Sequence, residues 1–195
     1  MQHNKDVWIY VLHIKGPKDR EPTTEQDSEA AQGLKTTKIM EARNGFHTLE
    51  ELYISPFTRA RRFDDNGQPY YVALTRDLNP TGIYAADMLL RSFTDGRPSL
   101  ADLAGRLGCD GRDLSGLLRC LTGMPSEEFR IAYRKRIVGE LLRYTSMTLA
   151  EVAARSGIGS ARNLSLFCNH HFRSTPDELR RLLRQQGDEG RFAVG

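Results

Sequence analysis

The feature that most constrains this fold is an apolar pattern that stops at a glycine and resumes a few residues later. It lies in LAEVAARSGIGSARNLSLFCNHHF, residues 149–172. Thr148 is suited to cap a first helix, and Gly157 supplies the left-handed backbone that ends it. Ser160 then caps a second helix, and Ile158 in the turn is expected to insert into the core. The buried positions of the second helix recur at threes and fours, as Leu164, Phe167, Cys168 and either His171 or Phe172. This pattern predicts a helix-turn-helix.

The same plan occurs earlier in the chain, in SLADLAGRLGCDGRDLSGLLRCLTG. Ser99, its first residue, occupies the position of Thr148, which lies 49 residues later. In the second helix Leu114 corresponds to Leu164, 50 residues later, so the later turn is one residue longer. The segments that follow also match, as GMPSEEFR and RSTPDELR. The sequence therefore predicts two copies of one helical unit.

A single helix is expected to connect the two copies, in SEEFRIAYRKRIVGELLRYT. Ser126 with Glu127 and Glu128 makes a favourable start, because acidic groups are stabilised at the positive end of the helix dipole. Roughly 18 residues at about 1.5 Å each hold the copies about 27 Å apart. Successive major grooves lie about 34 Å apart, and helix widths and tilts can cover the difference. One chain could therefore present two helices to one DNA duplex.

From about Tyr84 to Arg181 the chain resembles the DNA-binding domain of the AraC/XylS family of bacterial transcription regulators. The matching motifs are SLADLA, LG, LS and TGMPSEEF, then Arg134 and Leu141-Leu142, then TLAEVAARSGI, F, HHF and TPDELRR. The resemblance implies two helix-turn-helix units joined by a long linker helix, with a recognition helix of each unit in adjacent major grooves. It implies a sequence-specific transcription regulator whose partner is double-stranded DNA. RNA polymerase or another transcription protein is a further candidate partner.

The fold is expected to be mainly α, with an all-α domain over residues 81–185 and no strand after Pro80. Residues 1–80 are expected to form a small module with some β-structure, and residues 186–195 a flexible tail. In this module Val7 to Ile14 suits a buried strand, a polar loop follows it, and residues 39–52 are ambiguous. PFTRARRF and YYVAL flank DDNGQP, where Asn66-Gly67 predicts a β-hairpin turn with positive φ angles. The module is a candidate surface for homodimer formation.

Five aromatic residues of the module are candidates to line a pocket: Trp8, Tyr10, Phe57, Tyr70 and Tyr71. The alternative, which is the more common role of such residues, is that they form a core. Asp64-Asp65 resembles a pair of catalytic acids, but its place beside the glycine turn favours turn chemistry. Cys168 and His171 lie one helical turn apart, as in a nucleophile and its base. The apolar stripe through Cys168 favours core packing instead.

Candidate DNA contacts lie on three helices, and those of the second recognition helix match the base-reading positions that the resemblance implies. On the second recognition helix they are Ala161, Arg162, Ser165, Leu166 and Asn169. On the first they are Arg112, Ser115 and Arg119, in an outward set that also holds Gly111 and Gly116, where the family often has long side chains, and that lies beside Asp113, which would repel phosphate. The linker helix offers Arg130, Arg134, Lys135 and Arg136 for phosphate contacts. The alternative for each basic residue is a solvated surface side chain, and for Arg134 a role in bracing the fold.

Composition limits the other function classes. The chain has 195 residues, a net charge of +3 and three distant cysteines, which suggest neither a disulfide framework nor a zinc site. It has no apolar run long enough for a membrane span, so a cytoplasmic protein is expected. No cofactor, metal site or catalytic residue is predicted, and the chain is interpreted as a non-enzyme. The alternative function is a regulator of the same fold that acts mainly through protein contacts, with weak or non-specific DNA binding.

Overall fold

The structure is a computed structural model that describes residues 46–96 and 100–195. Within these residues it contains eight helices and three strands. In chain order they are α1 (Leu49–Leu52), β1 (Phe57–Phe63), β2 (Pro69–Ala73), α2 (Tyr84–Thr94), α3 (Leu100–Leu107), α4 (Gly111–Thr122), α5 (Ser126–Tyr144), α6 (Leu149–Arg155), α7 (Ala161–Phe172), α8 (Pro176–Leu183) and β3 (Phe192–Val194). The fold is mainly helical with one small sheet, as predicted. The strand expected at Val7 to Ile14, the polar loop after it, Trp8, Tyr10 and the cap Ser99 lie outside the described residues.

The predicted hairpin is formed by β1 and β2, which pair antiparallel with Arg61 opposite Tyr71. Its turn differs from the prediction in one respect, because the positive φ falls on Gly67 and not on Asn66. The carboxylate of Asp64 accepts hydrogen bonds from the amides of Asn66 at 2.9 Å and Gln68 at 2.7 Å. Asp64 therefore acts as a turn residue, as its sequence context indicates.

The expectation of a flexible tail at residues 186–195, with no strand after Pro80, is wrong. Strand β3 pairs antiparallel with β1, so the sheet order is β2-β1-β3. Phe192 is buried, and its ring lies 5.1 Å from the ring of Phe57 and 5.1 Å from that of Tyr144. Asp188 is also buried and accepts a 2.7 Å hydrogen bond from Arg143 of α5. Burial of an aromatic ring and a paired carboxylate holds the chain end against the sheet.

The hydrophobic core does not divide at the expected boundary near residue 80. Leu52, Ile54 and Phe57 belong to the same buried cluster as the apolar residues of the helices. Of the aromatic residues expected in a pocket or a core, Phe57 lies in this core, whereas Tyr70 and Tyr71 are about half exposed. The described part of the N-terminal module is thus packed onto the helical region.

Buried hydrogen bonds also connect this N-terminal segment to α5. The hydroxyl of Tyr133 accepts from the amide of Ile54 at 3.0 Å and lies 2.8 Å from Oγ1 of Thr94. The hydroxyl of Tyr53 donates to the carboxylate of Glu140 at 2.6 Å. Since buried polar groups are costly unless paired, these bonds fix the segment against the middle of the linker helix.

Candidate nucleic-acid interface

The two predicted units are present, each as a pair of helices around a tight turn. Thr148 caps α6 by accepting from the amide of Glu151, and Ser160 caps α7 by accepting from that of Asn163. Gly157 has a φ of 70°, as the turn requires, and Ile158 packs against the core. In the first unit, Gly108 has a φ of 68°. The sequence signals for this turn are therefore confirmed.

The two units repeat in three dimensions as well as in sequence. From residue 111 to residue 120, each position is buried, half-buried or exposed in the same way as the position 50 residues later. Helix α4 ends at Gly123 with a φ of 70°, and α7 ends at its counterpart Arg173 with a φ of 56°. The repeat means that residues 50 apart on α4 and α7 occupy equivalent places on their units.

The outward face of α7 combines basic, polar and apolar side chains. Arg162 and Asn169 are exposed, and Leu166 is 60% exposed. The guanidinium of Arg162 makes no hydrogen bond or ion pair with another described residue, so it is available to a ligand. Ser165 is half-buried and donates to the carbonyl of Ala161 at 3.1 Å. Of the predicted α7 residues, Arg162, Leu166 and Asn169 are thus the more accessible.

The outward face of α4 presents equivalent positions with a different charge. The guanidinium of Arg112 lies 3.3 Å from the carboxylate of Asp110, with 94% of the Arg112 side chain exposed. Ser115 is half-buried and donates to the carbonyl of Gly111 at 2.9 Å, and Arg119 is exposed. The α4 set therefore contains one free and one carboxylate-paired arginine among the described residues.

The N-termini of α4 and α7 differ in electrostatics. Asp110 caps α4 and forms a capping box with Asp113, which accepts from the amide of Asp110 at 2.9 Å. The equivalent residues of α7 are neutral, Ser160 and Asn163. Because a helix N-terminus attracts anions, α7 offers a favourable end to a phosphate, whereas the two carboxylates of α4 oppose one. Asp110 was not predicted as part of the site, although an acidic N-cap residue followed three residues later by a second acid, before an apolar run, indicates such a box.

A family model described as a helix-turn-helix domain matches residues 103–182. Residues 103–182 are an AraC-type helix-turn-helix domain. The presence of this domain supports the interpretation of the chain as a DNA-binding transcription regulator. Domains of this type are not enzymes. No curated protein matches the chain.

Three solved structures are similar to part of the chain. The C-terminal domain of the two-component response regulator yesN from Fusobacterium nucleatum is 21% identical, with a TM-score of 0.43 over 49% of this chain and 93% of that chain. The C-terminal domain of AraT, a response regulator from Geobacillus stearothermophilus, is 20% identical, with a TM-score of 0.46 over 53% and 85%. An AraC-type transcriptional regulator from Chromobacterium violaceum is 25% identical, with a TM-score of 0.41 over 53% and 91%.

Within the AraC-type domain, the basic residues of the linker helix α5 are partly engaged in the fold. Arg130 forms an ion pair with Glu127 and is mostly buried. Burial, and then the charge of Arg130, lower the pKa of Arg134. Burial also lowers the pKa of Lys135, whose ammonium lies 5.4 Å from the ring of Phe172. These three side chains are less accessible than the arginines of the recognition helices.

Arg136 is held inside the fold and does not face a ligand. Its guanidinium lies 4.0 Å from the ring centre of Tyr53 and 3.4 Å from the carboxylate of Glu140. A further carboxylate, that of Glu50, lies 3.6 Å away. The expectation of a phosphate contact at Arg136 is therefore wrong, because two acidic residues and an aromatic ring already bind it.

The cysteine and histidine of α7 do not form a nucleophile and base. Cys168 is fully buried, and burial raises the pKa of its thiol to about 12. Burial lowers the pKa of His171, with a further contribution from His170, and the His171 ring packs 4.5 Å from that of Phe167. The core interpretation of Cys168 is confirmed.

No helix among the described residues is both long and apolar enough to cross a membrane.

Proposed function

We propose that this chain is a sequence-specific regulator of transcription whose helices α4 and α7 enter adjacent major grooves of one DNA duplex. The observation that carries the proposal is the repeated burial pattern, which leaves the same positions of the two helices exposed. Arg112, Ser115 and Arg119 on α4 correspond to Arg162, Ser165 and Asn169 on α7. Two equivalent surfaces on one chain suit a two-part site, as in a dimeric repressor.

In this proposal α7 makes most of the base contacts. Arg162 reaches N7 and O6 of a guanine, and Asn169 pairs with an adenine, since their side chains match those donor and acceptor patterns. The exposed side chain of Leu166 suits the methyl group of a thymine. Ala161 and Ser165 lie closer to the helix axis and contact the groove wall or a phosphate.

Helix α4 and the linker helix contribute mainly phosphate contacts. Arg119 is the more available of the two α4 arginines, because Arg112 forms an ion pair with Asp110. Arg130, Arg134 and Lys135 add affinity without sequence preference where their partly buried side chains reach the backbone. The first unit therefore strengthens binding more than it discriminates between sequences.

The test begins with in vitro selection of bound duplexes, followed by titration of the selected and mixed duplexes at two salt concentrations. Arg162→Ala is expected to weaken binding to the selected duplex by about 10- to 100-fold, which corresponds to loss of one bidentate base contact. Its binding to mixed duplexes should change far less. Arg59→Ala is the matched control, because Arg59 is an exposed arginine on β1, away from both recognition helices.

The same titration separates the competing functions. If the selected duplex never binds more tightly than mixed DNA and Arg162→Ala changes nothing, the proposal fails and a regulator acting through protein contacts replaces it. Sedimentation of the complex counts the chains on each two-part duplex. We expect one chain per duplex, whereas two would indicate the homodimer through the N-terminal module. RNA polymerase or another transcription protein would then be tested on the assembled complex.

A further inference from the structure

The turn after α2, which leads into the first unit, touches the second unit directly, in addition to the connection through α5. The contact lies between Gly96, in the turn after α2, and residues 154–157, where α6 ends and the turn to α7 begins. A Cβ added at Gly157 would lie 3.3 Å from the carbonyl oxygen of Gly96 and 3.4 Å from its Cα. We call this backbone-to-backbone approach the inter-unit contact.

Two independent constraints, the backbone conformation and the space around Cβ, require glycine at position 96. Its φ of 68° is left-handed, which disfavours any side chain. A Cβ there would also lie 2.6 Å from the carbonyl oxygen of Ala154 and 2.7 Å from that of Arg155. Real Cβ atoms do not approach oxygens so closely, and both oxygens belong to backbone at the end of a helix. A side chain at position 96 would therefore push the turn after α2 away from the end of α6.

The contact is specific to the junction between the units. Gly108 is the counterpart of Gly157 in the first unit and has a similar φ of 68°, yet a Cβ added there would meet nothing within 4 Å. The turns of the two units thus have the same backbone conformation at glycine, but of these two turns only the second contacts the backbone of Gly96. A helix-turn-helix alone does not need this approach.

We propose that Gly96 is a positioning residue that sets the separation of α4 and α7, and so the spacing of the two-part DNA site. This inference rests on the proposed function, in which both helices bind one duplex. Gly96 precedes α3 of the first unit, whereas the carbonyls it meets end α6, whose turn leads into α7. Each side of the contact is therefore close in sequence to one helix-turn-helix unit, and a shift there moves one recognition helix relative to the other.

A change at this contact affects DNA binding because the two recognition helices belong to one chain. Two recognition helices on one rigid body bind a correctly spaced pair of half-sites far more tightly than either half-site alone. That gain disappears when the geometry forbids both contacts together. Gly96→Ala should therefore weaken binding to the two-part duplex by about tenfold or more, while a duplex with only the α7 half-site is bound within about twofold of wild type.

The experiment measures affinity on duplexes whose half-sites are separated by the selected spacing, by one base pair less and by one base pair more. Wild type should prefer the selected spacing, and Gly96→Ala should lose or shift that preference. Gly82→Ala is the matched control, because Gly82 has a φ of 69° but nothing within 4 Å of an added Cβ. It should keep the wild-type preference. Circular dichroism and thermal melting show which variants are folded.

A folded Gly96→Ala protein with the wild-type spacing preference would overturn the inference and leave the proposed function intact. Wild-type protein that binds all spacings equally would instead refute the two-groove function itself, and the role of the contact with it. If Gly96→Ala does not fold, Gly157→Ala decides, because its Cβ would come no closer than 3.3 Å to the neighbouring unit. The expected result is the same change in spacing preference, smaller in size, and an unchanged preference would again overturn the inference.

Discussion

At the scale of single residues, side chains that resemble catalytic groups prove to be packing groups. Cys168 continues the apolar stripe of α7 and is fully buried, whereas Cys120, on the exposed side of α4, is open to solvent. The thiolate is the reactive form of cysteine, and a pKa of about 12 leaves on the order of 10⁻⁴ of the Cys168 thiol ionised at pH 8. The two cysteines should therefore differ in reactivity.

We predict that an aromatic disulfide reagent at pH 8 modifies Cys120 in the native protein and leaves Cys168 unmodified over the same time. Mass spectrometry of peptides locates each adduct. In denaturant both residues should react, which controls for the reagent itself. Modification of Cys168 as fast as Cys120 in the native state would restore the nucleophile hypothesis.

Glu140 is the buried acid of the linker helix, and its ionisation should make stability depend on pH. Burial raises the pKa of its carboxyl above the ordinary value of 4.5, although Tyr53 and Arg136 act in the opposite direction. Because the folded state then binds the proton more tightly than the unfolded state, the ionised carboxylate lowers stability. This cost is absent below about pH 4.5 and grows as the pH rises through the raised pKa.

We predict that Glu140→Gln becomes more stable relative to wild type as the pH rises from 4 towards 8, since glutamine keeps a hydrogen-bond acceptor for Tyr53 without the charge. Urea unfolding at a series of pH values measures the difference in free energy of unfolding. Glu128→Gln, on the exposed side of the same helix, controls for the loss of one charge and should show little such trend. A difference that is constant or of opposite sign would contradict the assignment.

At the scale of elements, the recognition helices share geometry but not charge. The carboxylates of Asp110 and Asp113 stand at the N-terminus of α4, where α7 has Ser160 and Asn163. Since serine also caps helices well, Asp110→Ser with Asp113→Asn should leave the helix formed while removing two charges that repel phosphate.

We predict that this double variant binds the two-part duplex several-fold more tightly than wild type, with a smaller gain at higher salt, where exposed charges are screened. Fluorescence anisotropy at two salt concentrations measures both effects. The reverse exchange on α7, Ser160→Asp with Asn163→Asp, should weaken binding. Equal affinities for all three proteins would mean that neither N-terminus approaches DNA.

Elements defined by local signals could be predicted from the sequence, and elements defined by distant partners could not. The caps Thr148 and Ser160, the glycine turns and the β1–β2 hairpin depend on residues within a few positions of one another. Strand β3 has only three residues, and it forms because Phe192 packs on Phe57, far away in the chain. Periodicity cannot detect so short a segment, which was therefore expected to be a tail.

The same distinction applies to the candidate site. The exposed face of α7 was predictable, because the buried stripe through Leu164 and Cys168 fixes which residues point outward. The engagement of Arg136 and the approach of Gly96 to Ala154 were not, because each depends on how separate helices come together. Sequence spacing defines the faces of a helix but not its neighbours.

At the scale of the whole molecule, one core joins parts of the chain that the sequence suggests are separate. Leu52, before the hairpin, belongs to the same buried cluster as Leu114 of α4 and Leu164 of α7. Small domains with a single core usually unfold in one cooperative step. The described residues should therefore open together and not as a module and a DNA-binding domain.

We predict that amides of α4 and α7 exchange hydrogen with the same free energy of opening, and that Leu52→Ala lowers both by the same amount, about 2–5 kcal/mol for a buried leucine. Native-state hydrogen exchange at increasing urea, read by mass spectrometry of peptides from each helix, measures the two values. Leu182→Ala, at an exposed position of α8, should leave both unchanged. If Leu52→Ala lowers neither value, or α4 opens at lower urea than α7, the units are held by separate cores, and the segment before the hairpin does not stabilise the helices that face DNA.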